Sequence, residues 1–104
     1  MKLVLLENKD IFFELIQGSN LVGRWDNEAN TFPEIDLDEL DVTAKVSRHH
    51  AVIWVDEEGK AILEDTGSLN GTWLNKTQIH QGEKAHLKKG DELIFGALKF
   101  VIQE

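Results

Sequence analysis

Nine of the eleven basic residues in this chain are lysines, and the two guanidinium groups belong to Arg24 and Arg48. A guanidinium is a planar fork that holds phosphate oxygens two at a time, whereas an ammonium is a strongly hydrated point charge. Both arginines stand beside a turn or loop, and their neighbours add further donors. Gly23-Arg24 closes one apolar run, and Ser47-Arg48-His49-His50-Ala51 opens another. Asp65-Thr66-Gly67-Ser68-Leu69-Asn70-Gly71-Thr72-Trp73-Leu74-Asn75 is a Gly/Ser/Asn turn that runs into a third. Guanidinium, hydroxyl, side-chain amide and backbone N–H groups on three loops are the chemistry of anion binding without covalent change. Two blander readings stand beside it. The arginines could form ordinary salt bridges with abundant carboxylates, and Asn70-Gly71 is first of all a hairpin turn.

Other chemistry finds less support. His49 and His50 are adjacent, so a strand points them to opposite faces; His80 and His86 lie far along the chain in polar company. The expectation is one packed histidine and three on the surface. Ser47 and His50 are close enough to evoke a Ser-His-Asp hydrolase, but there is no Gly-x-Ser-x-Gly elbow and no α/β alternation. Walker and dinucleotide glycine patterns are absent as well. In the acidic stretch Asp36-x-Asp38 is followed by Leu40 with no glycine next, so the EF-hand pattern for calcium fails. No catalytic set, metal site or cofactor is expected, and the chain is not read as an enzyme.

Charge narrows the partners. Eleven Lys and Arg against nineteen Asp and Glu give a formal net charge of −8 over 104 residues. Nucleic-acid binders need cations to displace counterions from phosphates, and an anionic membrane surface repels such a chain. There are no cysteines, which excludes disulfides and thiolate zinc sites and is compatible with a reducing compartment. The longest N-terminal apolar run, Leu3 to Leu6, is far short of the about 20 residues that span a bilayer. With Glu7 interrupting it, the start is also too short for a signal peptide. The expectation is a soluble, cytoplasmic chain forming one domain over residues 1–104.

The loops must be carried by short strands. Apolar or alternating runs occupy Leu3–Glu7, Ile11–Ile16, Leu21–Arg24, Ala51–Val55, Lys60–Glu64, Thr72–Asn75, Lys84–Leu87, Glu92–Phe95 and Leu98–Ile102. Turn residues punctuate them at Asn8-Lys9-Asp10, Gly18-Ser19-Asn20, Asp56-Glu57-Glu58-Gly59, Gln81-Gly82, Lys89-Gly90-Asp91 and Gly96-Ala97. No helical stretch appears. Such spacing predicts an all-β sandwich or barrel, and a sandwich gathers alternate loops at one end. Residues 26–41 break the rhythm with seven acids (Asp26, Glu28, Glu34, Asp36, Asp38, Glu39, Asp41), no Lys or Arg, and the only proline, Pro33. That segment reads as a long solvated loop with a short strand at Ile35–Leu37.

Together and in this order, Gly23-Arg24, Ser47-Arg48-His49-His50 and Ser68-Leu69-Asn70-Gly71-Thr72 resemble the forkhead-associated (FHA) domain family. That family is recognised by Gly-Arg, then Ser-x-x-His, then Ser-x-Asn-Gly-Thr. Asn75 sits where the family often has an asparagine, and the resemblance covers almost the whole chain.

The resemblance implies an FHA-like β-sandwich of about eleven mostly antiparallel short strands, with ligand loops at one end that bind phosphothreonine peptides. By analogy Arg24 contacts phosphate, Ser47 donates its hydroxyl to it, and Arg48 is a second basic contact. Asn70 holds the peptide main chain. Gly23, His50 and Gly71 shape or brace the loops, Thr72 supports the same turn, and Trp73 packs in the core. Leu69 departs from the pattern, because a polar residue often stands there. It offers phosphate only its backbone, a loss of roughly tenfold or more in affinity at about 1.5–3 kcal/mol per charged hydrogen bond; otherwise it meets the peptide as an apolar contact. Lys45, close to Ser47, adds positive potential. The implied partner is a phosphothreonine-containing protein or peptide; the net charge of −8 and the acidic segment after Arg24 add the expectation of Lys or Arg near the phosphate. A Ser/Thr protein kinase is implied upstream, no nucleic acid or membrane is involved, and attachment to other domains is common. The alternative is an FHA fold used for phosphate-independent docking to another domain or subunit.

Overall fold

The computed structural model describes all residues, Met1–Glu104. Eleven strands form in chain order: β1 (Lys2–Leu5), β2 (Phe12–Glu14), β3 (Gly18–Gly23), β4 (Ile35–Asp36), β5 (His49–Val55), β6 (Ala61–Asp65), β7 (Thr72–Leu74), β8 (Thr77–Ile79), β9 (Lys84–Leu87), β10 (Glu92–Phe95) and β11 (Leu98–Gln103). They make two sheets, ordered β2-β1-β11-β10-β7-β8 and β4-β3-β5-β6-β9. Only β3 and β4 pair in parallel. No helix is long and apolar enough to cross a membrane.

Period-two alternation builds the core. One sheet contributes Leu3, Leu5, Leu93, Phe95, Phe100 and Ile102; the other contributes Val22, Ile35, Ala51, Ile53, Ala61, Leu63 and Leu87. Phe95 and Phe100 meet at a centroid separation of 6.0 Å, and Phe13 closes on Phe100 edge-on at 6.2 Å. Strand direction then sets where the loops gather. The C-terminal ends of β3, β6 and β10 and the N-terminal ends of β5 and β7 all lie at one end, because Gly23 pairs with His49, Ala51 with Asp65, and Phe95 with Thr72.

Five sequence expectations need correction. Gly18-Ser19-Asn20 is no turn but the start of β3, paired with Val55, Trp54 and Ile53. β8 is an additional strand. Asn75 and Lys76 both take positive φ (48° and 70°) and turn β7 directly into β8, a two-residue hairpin without the glycine that usually marks one. Asn70-Gly71 is no hairpin turn, since it carries the chain from one sheet to the other. Residues 26–41 are not simply solvated: Thr31, Pro33, Ile35 and Leu37 alternate inward and the intervening residues point out. Trp73 stands outside the core cluster; it rests on the backbone of Gly71, where an added Cβ would lie 2.5 Å from its ring.

Candidate functional site

A bulge aims the first residues of the site. Val22 pairs with Ala51 but Gly23 pairs with His49, so His50 is the extra residue. A bulge lets consecutive residues escape strict alternation, and His50 and Ala51 are both fully buried. His49 stays on the surface, as do His80 and His86. The strands at the bulge approach so closely that a Cβ on Gly23 would sit 1.7 Å from the Arg48 carbonyl oxygen. That approach lets the Arg24 N–H donate to the same carbonyl at 3.2 Å, so the two arginines leave adjacent backbone positions.

His50 ties two loops together from inside. Its Nδ1 accepts from the Ser47 N–H at 3.0 Å, and its Nε2 donates to the Gly71 carbonyl at 2.8 Å. This pairing requires the neutral ring protonated on Nε2. The ring also packs edge-on against Phe95. Gly71 takes φ +95°, a conformation that glycine adopts at no steric cost; its carbonyl also accepts from Gly96 N–H at 3.1 Å.

Asp65, at the end of β6, organises the third loop and was not singled out as a site residue from sequence. One carboxylate oxygen accepts the Gly67 and Ser68 N–H groups at 2.7 and 3.0 Å. The other accepts the Ser68 and Thr72 hydroxyls at 2.5 and 2.7 Å. Ser68 Oγ also accepts the Gly71 N–H at 3.1 Å. The Ser68 hydroxyl is therefore spent inside the loop and is not available to an anion. The local signal was present: Asp followed two residues later by Gly is an Asx-turn pattern.

The remaining groups face outward. Ser47 Oγ accepts the Leu69 N–H at 3.0 Å, which leaves the hydroxyl proton without a protein acceptor. Asn70 Nδ2 donates to the Lys45 carbonyl at 3.1 Å, while its Oδ1 has no protein partner. The Leu69 side chain is 88% exposed and touches no core. Arg24 Nε is buried with no hydrogen-bond partner. Gly23, Arg24, Ser47, Arg48, His50, Leu69, Asn70, Gly71 and Thr72 thus belong to one end of the sandwich, joined by the bonds just described. Asn75 lies at the other end of β7, where it holds Asp91 and Glu92.

The acids of residues 26–41 are closer than their sequence distance implies. Arg48 Nε meets Asp26 Oδ2 at 2.6 Å, and Arg24 Nη1 lies 3.9 Å from Asp38 Oδ1. Both pairs are open to water: the arginine side chains are 58% and 32% exposed. Exposed pairs of this kind are worth about 0–1 kcal/mol.

Two buried ionisable groups give this end a pH dependence. Burial pushes His50 below its ordinary 6.5; the Gly71 carbonyl and the Asp65 and Asp41 carboxylates pull it back without prevailing. The unfolded chain then binds a proton that the folded chain refuses. Stability is complete above about pH 6.5 and is lost as pH falls below it. For Asp65, burial raises the pKa, but the Ser68 and Thr72 hydroxyls and the Gly67 and Ser68 N–H groups outweigh it, and the net value lies below 3.8. Its contribution is present above 3.8 and disappears in stronger acid. Calorimetry should show a Tm that declines from pH 6.5 downward. The His50 ring, followed by NMR, should titrate below 6.5, and a titration above 6.5 would contradict this wiring.

The chain is an eleven-stranded two-sheet sandwich whose Gly-Arg, Ser-Arg-x-His and Ser-x-Asn-Gly-Thr segments converge at one end, as the resemblance to the FHA domain implies. The profile of the FHA domain family matches residues 20–96, and the chain belongs to that family. It is 38% identical over 56 residues to the sarcolemmal membrane-associated protein of Oryctolagus cuniculus, a match covering 49% of this chain and 7% of that protein. The chain therefore spans a small part of this relative. Among solved structures it is similar to the FhaA FHA domain complexed with the intracellular domain of Rv3910, with TM-score 0.77 and 28% identity over 96% of both chains. It is equally similar to an FHA domain from a structural and functional analysis of phosphothreonine-dependent FHA domain interactions. There the TM-score is 0.77 and the identity 27%, over 96% of this chain and 91% of that one.

Proposed function

We propose that this domain is a phosphothreonine-dependent interaction module acting downstream of a Ser/Thr protein kinase, and that it is not an enzyme. The observation that carries the reading is the set of unused donors and acceptors at one end. Arg24 has a buried, unpartnered Nε, Ser47 a free hydroxyl proton, and Asn70 a free carbonyl oxygen. Arg24 and Ser47 suit phosphate oxygens, and Arg48 adds a second fork. Asn70 Oδ1 suits a peptide N–H. Leu69 gives its N–H to Ser47 and so orients that hydroxyl; its exposed side chain meets the peptide as an apolar surface. Gly23, His50, Gly71 and Thr72 hold these groups in place.

The carboxylates facing both arginines favour the second reading, docking without phosphate, in which Asp26 and Asp38 are permanent partners. The energetics favour exchange instead. A phosphothreonine brings about −1.5 to −2 charge and three acceptor oxygens, and it competes with carboxylates in weak, wet pairs. Asp26 then acts as a built-in competitor for Arg48. Asp26→Asn keeps the acceptor that caps the Glu28 and Ala29 N–H groups and removes the charge. It should tighten phosphopeptide binding about two- to fivefold in calorimetry, from release of about 0.5–1 kcal/mol. Weaker binding by this variant would show that the pair supports the site.

The reading as a whole is tested by NMR titration with a phosphothreonine peptide. Shifts should concentrate at Arg24, Ser47–Arg48 and Leu69–Asn70. Shifts centred on the Lys89-Gly90 turn, at the far end of β10, would move the site elsewhere and overturn the proposal.

A further inference from the structure

Asp26 and Thr31 exchange two backbone hydrogen bonds, each 2.9 Å, and close a small hairpin over residues 26–31. Its two faces are used differently. Thr31 is buried and its hydroxyl meets the His49 ring, while Asp26 reaches Arg48. Trp25 and Phe32, the next cross-strand pair, alternate to the opposite face. They remain 49% and 52% exposed although their rings lie 5.8 Å apart. Pro33 after Phe32 keeps that arm extended. An ordered pair of large aromatics, held by backbone hydrogen bonds and left half in water, contributes little to the core. It sits one residue from Arg24.

The charge around the pair selects what it can hold. The Asp36 carboxylate accepts the Trp25 N–H at 3.0 Å and pairs with no cation. Glu28, Glu34 and Glu39 in the same segment also pair with none. Two copies of the chain would bring these acidic segments together and repel. A cation is attracted both by the ring faces and by the carboxylates; Asp36 Oδ1 already accepts the Trp25 and Asp38 N–H groups, which leaves Oδ2 for a guanidinium stacked on the Trp25 ring. We propose that Trp25, Phe32 and Asp36 form a receptor for an arginine side chain of the phosphorylated partner, placed outside the residues that contact phosphate. The assignment rests on the phosphothreonine reading above and names the residues that set flanking specificity. It also answers the electrostatic difficulty of an anionic domain that binds an anion.

The test uses alanine-based phosphothreonine peptides in which a single arginine is walked along both flanks, titrated calorimetrically into the full chain. One position should bind about two- to fivefold more tightly than the alanine parent, the scale of an exposed cation–π contact. Trp25→Leu, which keeps apolar bulk without a ring, and Asp36→Asn, which keeps the acceptor for Trp25 N–H, should each reduce that gain and leave the parent's affinity unchanged. A gain that survives both variants, a flat arginine walk, or a larger gain from leucine at the same position overturns the proposal. A Trp25-dependent dimer in sedimentation would assign the pair to a second copy and overturn it too. If no phosphopeptide binds at all, the phosphothreonine reading has failed; if the parent binds and arginine adds nothing, only the receptor has.

Discussion

Arg24→Ala is expected to weaken phosphothreonine-peptide binding by about 3 kcal/mol, roughly 150-fold, with little change in Tm. The size follows from removing two charge-assisted hydrogen bonds to phosphate, each about 1.5–3 kcal/mol. The small structural cost follows from what Arg24 does within the chain. Its side chain makes one long, exposed ion pair with Asp38, and its Nε is a buried donor without a partner. The fold therefore loses almost nothing when the side chain goes. Arg24→Lys should recover only part of the affinity, because a point charge cannot reproduce the fork. The pair of measurements, affinity by calorimetry and Tm by scanning calorimetry, separates a ligand-contacting role from a structural one. Equal loss in both would mean that Arg24 is a packing residue.

Gly23→Ala should act the other way round, destroying the site by deforming the frame. A methyl group at 1.7 Å from the Arg48 carbonyl oxygen cannot be relieved by a side-chain rotation, since the obstacle is backbone. Strands β3 and β5 must part at the bulge. The Arg24 N–H bond to that carbonyl and the Leu37 N–H bond to the Gly23 carbonyl are then strained together. Overpacking of this severity costs about 3 kcal/mol, which lowers Tm by roughly 12–24 °C in a domain of this size. Phosphopeptide affinity should fall with it, because Arg24 and Arg48 are both carried on the displaced backbone. A Gly23→Ala variant with unchanged Tm would show that the strands can move apart freely there.

These two positions also mark the limit of what is legible in the sequence. Strands carried by local alternation, such as Ala51–Val55 and Leu98–Ile102, were legible because one face of each is buried and the turns between them are rich in Gly, Asn and Asp. Gly-Arg, Ser-Arg-x-His and Ser-x-Asn-Gly-Thr were legible as a set, since loop chemistry is local. The frame that joins them was not. The 1.7 Å approach at Gly23 and the inward turn of His50 depend on a register shift between strands more than twenty residues apart in sequence. Asp65 could be recognised as the start of an Asx turn, but its bond to Thr72 crosses from one sheet to the other.

The short strand expected at Ile35–Leu37 is present as β4 (Ile35–Asp36), but the charges around it hide the periodicity of the rest of the acidic segment. Its inward residues Thr31, Pro33, Ile35 and Leu37 follow an alternation that the seven acids obscured. The nearness of Asp26 and Asp38 to the arginines likewise depends on where the segment folds back. Screening over about 8 Å at physiological salt makes distant carboxylates count little, but Asp26 and Asp38 stand at contact distance from the arginines.

The central claim is that a phosphate group, not merely a peptide, is what this end of the sandwich recognises. Calorimetric titration of one peptide in phosphothreonine and plain threonine forms tests it directly. Saturable heat with the phosphorylated peptide and none with its plain twin is the predicted result; equal affinity for the two would contradict the account.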